Sequence, residues 1–261
     1  MTIFKHEFKQ GRRTLIIWTA AISFMLAVCI LIFPDMSSQT DDITSMFADM
    51  GGFSQAFGMD KINFGEFTGF FGVECGNVLG LGGAFFAALL GISALAKEEK
   101  EHTAEFLLTH PISRTRIIAE KLGNIAAQLI ILNLVVIAVT AVSVNIIREK
   151  ADTKTFALLF LAYFLMQLET AAITFCISAF LKSAGFGTGL GLAAIFYFLN
   201  LIANLVDKTR FLKYLTPFSY TESADIIADT AINGGYLAVG MVFTLIGVGI
   251  AFWKYSKKDI A

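Results

Sequence analysis

The residues best suited to chemistry are few, and they lie inside apolar runs. Glu169, in "FLMQLETAAITF", stands beside Gln167 and Thr170. A carboxylate at that depth in an apolar stretch is costly, and by default marks a substrate, proton or ion path. The structural alternative is a hydrogen bond to a neighbouring helix, with Gln128 or Asn133 as partner, because single polar residues also glue helices together. Asn200 and Asn204, one helical turn apart, form a second polar patch that would face a path or a partner. Glu74 falls at the mouth of an apolar run, where hydration is easy.

Other routes to chemistry are missing from the sequence. No G-x-x-x-x-G-K-[ST] run is present, so the chain has no phosphate-cradling loop of its own. The histidines, His6, His102 and His110, form no H-E-x-x-H, and the latter two are too far apart for adjacent-turn metal ligation. No G-x-S-x-G elbow and no pair of intramembrane aspartates is found. Cys29, Cys75 and Cys176 fall within apolar runs without paired spacing, as small packing residues do. The glycine-rich "GFGTGLG", Gly185 to Gly191, follows no strand and precedes no lysine, so helix packing accounts for it better than a nucleotide does. An enzyme is not expected, and neither a metal nor a cofactor in this chain.

The elements that must hold these residues are read from composition and hydropathy. The chain has 261 residues, 56% hydrophobic and only 16% charged, with a mean hydropathy of +0.70. Soluble domains carry about 25% charged residues, so the composition is that of an integral membrane protein. A net charge of −1 gives no electrostatic case for nucleic acid. A membrane-crossing helix needs about 20 mostly apolar residues. Six segments qualify, at about 14–33, 72–96, 117–147, 156–181, 184–206 and 236–253. The first is too long for a signal peptide's apolar region and ends in "PDMSSQ", so it reads as a retained span.

Thirteen of the twenty Lys and Arg residues fall on one side if both termini are cytoplasmic, which sets the orientation by the positive-inside rule. The outer loop from Asp35 to Phe71 carries one Lys against six carboxylates, in agreement. Residues 1–13, "MTIFKHEFKQGRR", suggest a short amphipathic helix along the inner interface, with a frayed basic tail as the alternative. Phe211 to Gly235 is too polar to span and too apolar for a solvated loop. A re-entrant or interfacial helical hairpin at the outer face fits, broken at Pro217. Within span two, Gly72, Gly76, Gly80, Ala84 and Ala88 form a ridge of small residues that admits close helix approach.

Between spans two and three lies "KEEKEHTAEFLLTHPISRTR", Lys97 to Arg116. Thr103 can cap a helix with Glu105 in its first turn. Ala104, Leu107 and Leu108 then form one apolar face. Pro111 disfavours helix at the residue before it, ending the helix near Thr109 or His110, and Ser113 can cap the helix of span three. A two-turn helix is not stable alone in water. Its apolar face must rest on the bilayer, on the protein itself or in a groove of a partner.

"EEKEHTAEFLLTHPISRTRIIAEKL" resembles the coupling-helix region of permease subunits of ABC transporters of the type-2 exporter class, which carry E-x-x-x-G-T-x-E-x-L-L-x-x-P-[IV]-S-R ahead of a transmembrane helix. Glu99, Thr103, Glu105, Leu107, Leu108, Pro111, Ile112, Ser113 and Arg114 match, and His102 stands where the glycine is usual. "YLTPFSY", Tyr214 to Tyr220, with "ADII" following, resembles the family's segment before the last span. The resemblance implies a single permease domain over residues 1–261, all-α, with six transmembrane helices, an N-terminal interfacial helix, a cytoplasmic coupling helix at about 103–110 and an outer re-entrant segment. It implies a separate ABC ATPase subunit that binds ATP and Mg, a second permease chain forming a homo- or heterodimer, and a place in the cell (inner) membrane. ATPase docking is then expected at Thr103, Glu105, Phe106, Leu107, Leu108, Pro111 and Arg114. Glu169, Gln167, Asn200 and Asn204 are the candidates for the substrate path. The rival expectation is an ATP-independent six-span carrier using Glu169 as an ion or proton site.

Overall fold

The computed structural model describes residues 2–37, 51–56, 62–63, 65–100, 113–181 and 185–257. Among them the chain forms helices and turns and no strand. Six helices are long and apolar enough to cross a membrane: Ile3–Ser37, Phe67–Ala96, Arg114–Ile147, Thr153–Ser178, Phe186–Leu205 and Gly234–Lys257. These are spans one to six, and each contains the core of the segment expected from hydropathy.

The ends differ from expectation in instructive ways. Thr2–Ser37 is one unbroken helix, so the amphipathic start is continuous with span one and is not a separate interfacial helix. No proline or capping residue interrupts "QGRRT", and Gly11 lies against Gln128 of span three, where a Cβ would meet the amide nitrogen at 3.0 Å. Span two begins at Phe67, earlier than expected, because five phenylalanines pack there. Phe67 and Phe70 meet Phe33 of span one, and Phe71 stacks on Phe156 of span four with centroids 4.2 Å apart. Span four stops at Ser178 and span three starts at Arg114.

Local chemistry explains two of these starts. The Ser113 hydroxyl accepts from the amide of Arg116 at 3.3 Å, capping span three as expected. Asp152 caps span four by accepting from the amides of Lys154 and Thr155. The Thr155 hydroxyl donates to the same carboxylate and holds it below the usual carboxylate range.

Spans two and four are the most buried of the six. Span four packs along the second half of span two and also meets span six, span five lies on span two, and span one pairs with span three. The small residues of span two allow this, though not only along the expected ridge. Gly76 and Gly80 accommodate the Tyr163 side chain, with a built Cβ 2.9 Å from its hydroxyl and 3.0 Å from its ring. Gly83 faces the Gln167 amide, and Gly91 faces the Ala171 carbonyl and the Thr174 hydroxyl at distances no side chain could occupy. The closest backbone approach between two spans is therefore at Gly91, which lies off the fourfold ridge. In "GFGTGLG" only Gly189 is packed, 3.1 Å from the Ala88 carbonyl for a built Cβ, while Gly185, Gly187 and Gly191 meet open space.

Span two carries one further irregularity. Gly76–Leu81 is a π-helical turn between Phe67–Cys75 and Gly82–Lys100. Such turns insert a residue into a helix and occur often at functional sites. Beyond span five the chain doubles back as a 3-10 helix, Asp207–Leu215, then turns into a short helix, Ser223–Asp229.

Candidate functional site

At the end of the bundle that holds both described termini, three spans are tied together by one buried cation. Lys121 of span three is 2% exposed. Its Nζ donates to Glu7 Oε1 of span one at 2.8 Å and to the Ala94 carbonyl of span two at 2.7 Å. Burying an ammonium is tolerable only with such pairing. The preceding residue, Glu120, accepts from the Phe4 amide at 3.0 Å and from Arg116 at 3.0 Å. Arg114 donates to the carbonyls of Tyr255 and Ser256, both at 3.3 Å, placing a cation at the C-terminal end of span six where the helix dipole favours it. The expected coupling helix at 103–110, with Thr103, Glu105, Phe106, Leu107, Leu108 and Pro111, lies outside the described residues. Of the expected docking residues, Arg114 alone is described.

A second polar region lies deeper. Glu169 is 4% exposed, and its Oε2 accepts from the Tyr220 hydroxyl at 2.8 Å. Gly240 of span six lies directly against this carboxylate, leaving no room for a side chain. Gln167, fully buried, accepts from Asn133 of span three at 2.6 Å. The structural alternative for Glu169 named Asn133 or Gln128. Asn133 instead serves Gln167, and Glu169 is held by the segment after span five.

That segment reaches well down the bundle. Thr216 Oγ1 donates to the carbonyl of Phe196, nine residues before the end of span five, a return of about 13 Å along the helix axis. The Tyr163 hydroxyl, ten residues into span four, lies 3.1 Å from the Thr221 carbonyl and 2.9 Å from Ser223 Oγ, and Ser223 donates to the Gly72 carbonyl at 2.6 Å. Asn200 and Asn204 converge on Glu222 Oε1, donating at 2.6 Å and 2.7 Å. Asn204 also donates to the Ala56 carbonyl at 3.2 Å, which ties in the short helix Gly52–Ala56.

The family whose model is described as "ABC-2 family transporter protein" matches residues 1–260. The chain belongs to the ABC-2 transporter family. It is a multi-pass transmembrane permease of an ABC transporter, a transport component of the membrane. A comparison with curated proteins finds none that matches.

The four path candidates of this permease fall into three separate networks. Glu169 joins Tyr220, Gln167 joins Asn133, and the asparagine pair joins Glu222. Reading hydropathy alone passed over Tyr163, Tyr220, Glu222 and Ser223, because three of them lie in a segment too polar to be a span. The broken pattern after Pro217, with its aromatic and hydroxyl residues, was the available signal. A crevice of about 730 Å³ opens between spans three and four, lined mostly by apolar residues, with Asn133, Thr140, Asn145, Glu149 and Thr153 among them.

Proposed function

We propose that this permease is the membrane-spanning half of an ABC exporter, coupled through Lys97 to Arg116 to a separate ATPase subunit that binds ATP and Mg. The observation that carries the reading is the Lys121 node. The segment resembling a coupling helix lies between Ala94 and Lys121, and Lys121 is bonded both to the Ala94 carbonyl and to Glu7. A push on that segment from an ATPase would reach spans one, two and three together, and Arg114 would pass it to span six. Rigid elements tied by discrete bonds move as units. Thr103, Glu105, Phe106, Leu107, Leu108, Pro111 and Arg114 are the docking residues in this reading. Both termini and the Lys121 node then face the cytoplasm of a cell whose inner membrane holds the permease.

The segment Asp207–Asp229 acts as a re-entrant piece at the outer face. Irregular backbone survives at membrane depth only when sheltered by protein, and its bonds to Phe196, Tyr163 and Glu169 support such shelter. Two permease chains, identical or not, enclose the path, with Glu169, Gln167, Asn200 and Asn204 as the polar groups available to it.

The test is purification of the tagged chain from its host membrane, followed by mass spectrometry of what comes with it. An ATPase subunit is expected, and Glu105→Ala with Leu108→Ala should release it while the permease stays folded. Recovery of a chain that transports alone, driven by an ion gradient, would overturn the reading in favour of a carrier centred on Glu169.

A further inference from the structure

We propose that Lys9, Arg12 and Arg13 form a site for the phosphate headgroup of an anionic phospholipid, on the outward side of span one at the end that holds both described termini. The start of that helix has two unlike faces. Ile3, Glu7, Gly11 and Leu15, each four residues apart, turn inward: Ile3 and Leu15 are buried, Glu7 meets Lys121, and Gly11 lies against Gln128. Lys5, Lys9, Arg12 and Ile16, at spacings of four and three, share another face. They are exposed, as is Arg13 beside them. Glu7 is the one carboxylate in residues 1–13, so the exposed face carries positive charge alone.

These cations have no counter-charge in the protein. Among the described residues, the side chains of Lys5, Lys9, Arg12 and Arg13 make neither an ion pair nor a hydrogen bond. The other cations whose side chains are described at this end are all engaged. Arg114 meets two carbonyls, Arg116 meets Glu120 and Lys121 meets Glu7, while Lys254 and Lys257 lie over the rings of Phe180 and Trp253. Like charges one turn apart repel each other, and an anion among them removes that cost.

Depth decides which anion. The exposed face changes from cationic at Arg13 to apolar at Ile16, Ile17 and Phe24, so hydrocarbon begins near Thr14. At about 1.5 Å per residue, Arg12 and Arg13 lie within about 3 Å of that level, Lys9 about 8 Å from it and Lys5 about 14 Å. The headgroup layer is about 5–8 Å thick on each side of a bilayer. The three cations at that depth also line one surface recess of about 440 Å³, together with His6 and Gln10. A recess of that size takes a whole headgroup rather than a bare ion, and two guanidinium groups suit phosphate oxygens. A soluble phosphate would use the same charges, but only a lipid also covers the exposed Ile16 and Ile17, one turn further along. Span one is then held from two sides, through Glu7 by Lys121 and through its outward cations by lipid phosphate.

The experiment reconstitutes the full chain in phosphatidylcholine vesicles with a trace of phosphatidylglycerol spin-labelled on its acyl chain, and measures the fraction immobilised by the protein. Phosphatidylglycerol should be held in preference to spin-labelled phosphatidylcholine, and the preference should shrink in high salt. Arg13→Gln should weaken the association about fivefold, the effect of one surface cation. Lys9→Gln with Arg12→Gln and Arg13→Gln should abolish the preference, whereas Arg12→Lys with Arg13→Lys, which keeps the charge, should retain most of it. Arg148→Gln with Lys150→Gln, in a loop at the other end where Glu149 and Asp152 alternate with the cations, should behave as the unaltered chain does. Equal retention of the two lipids, or a preference that survives the triple change, would overturn the proposal. Loss of the preference on adding glycerol 3-phosphate at constant ionic strength would reassign the site to a soluble phosphate and overturn the lipid. The inference rests on span one crossing the bilayer and no ATPase takes part, so its outcome is independent of the exporter reading.

Discussion

Two polar regions of this permease hold their ionisable groups in opposite ways. At the end holding the termini, Lys121 meets a carboxylate and a helix carbonyl, and its charge is matched where it stands. Deeper in the bundle, Glu169 and Glu222 meet only a phenol and two amides. The first arrangement fixes three helices against one another. The second holds its carboxyl groups by neutral donors that orient them. A matched charge suits a mechanical joint, and carboxyl groups held only by neutral donors are the polar groups left available to the proposed path.

The largest effect should come from breaking the joint. Lys121→Met leaves Glu7 and the Ala94 carbonyl without their partner, and losing one member of a buried pair costs about 3–5 kcal/mol. Thermal unfolding of the detergent-purified chain should register this as a large drop in midpoint. Lys121→Met combined with Glu7→Leu should recover much of the loss, because no uncompensated charge remains. Full additivity of the two changes would dissolve the contrast drawn between the regions.

Next in size is Gly240→Val, which pushes a side chain into the space of the Glu169 carboxylate. Overpacking of this kind costs about 1–3 kcal/mol, and span six should loosen from span four, seen as faster protease cleavage. Glu169→Gln is expected to be milder for stability, about 1 kcal/mol, since an amide oxygen still accepts from Tyr220. Its effect should fall on transport or on substrate-stimulated ATP turnover while the assembled complex persists. Loss of assembly with no separate transport defect would move Glu169 to the structural side of the comparison. The smallest change is Asp152→Ala, which removes the cap of span four at an exposed turn. The folded-state carboxyl titrates below its unfolded value, so its stabilisation is present above the unfolded range and is lost as pH falls through the folded one. Unfolding midpoints of the variant and the unaltered chain should therefore differ slightly near neutral pH and converge in acid.

The six spans, their order and the Ser113 cap were legible in the sequence, because hydropathy over 20 residues and a capping hydroxyl before an apolar run are local signals, whereas the Asp152 cap emerged only from the structure. The docking motif was legible as a resemblance. Boundaries were less so: span two starts at Phe67 because Phe33 and Phe156 lie nearby, which is information no window of sequence holds. The small-residue ridge was correctly seen at Gly72, Gly76 and Gly80, yet the tightest backbone approach between spans is at Gly91, decided by which face span four presents.

Local patterning thus determined that the chain spans a membrane six times and where its scarce polar residues fall. Tertiary structure alone decided their partners. Glu169 could have bonded any polar group of a neighbouring helix, and only the return of the chain after span five brings Tyr220 to it. Lys121 and Glu7 are 114 residues apart, and Asn200 and Glu222 belong to elements that hydropathy sorts into different classes. Hydrocarbon sets the cost of leaving such groups unpaired, and the packing of the bundle sets which pairs can form.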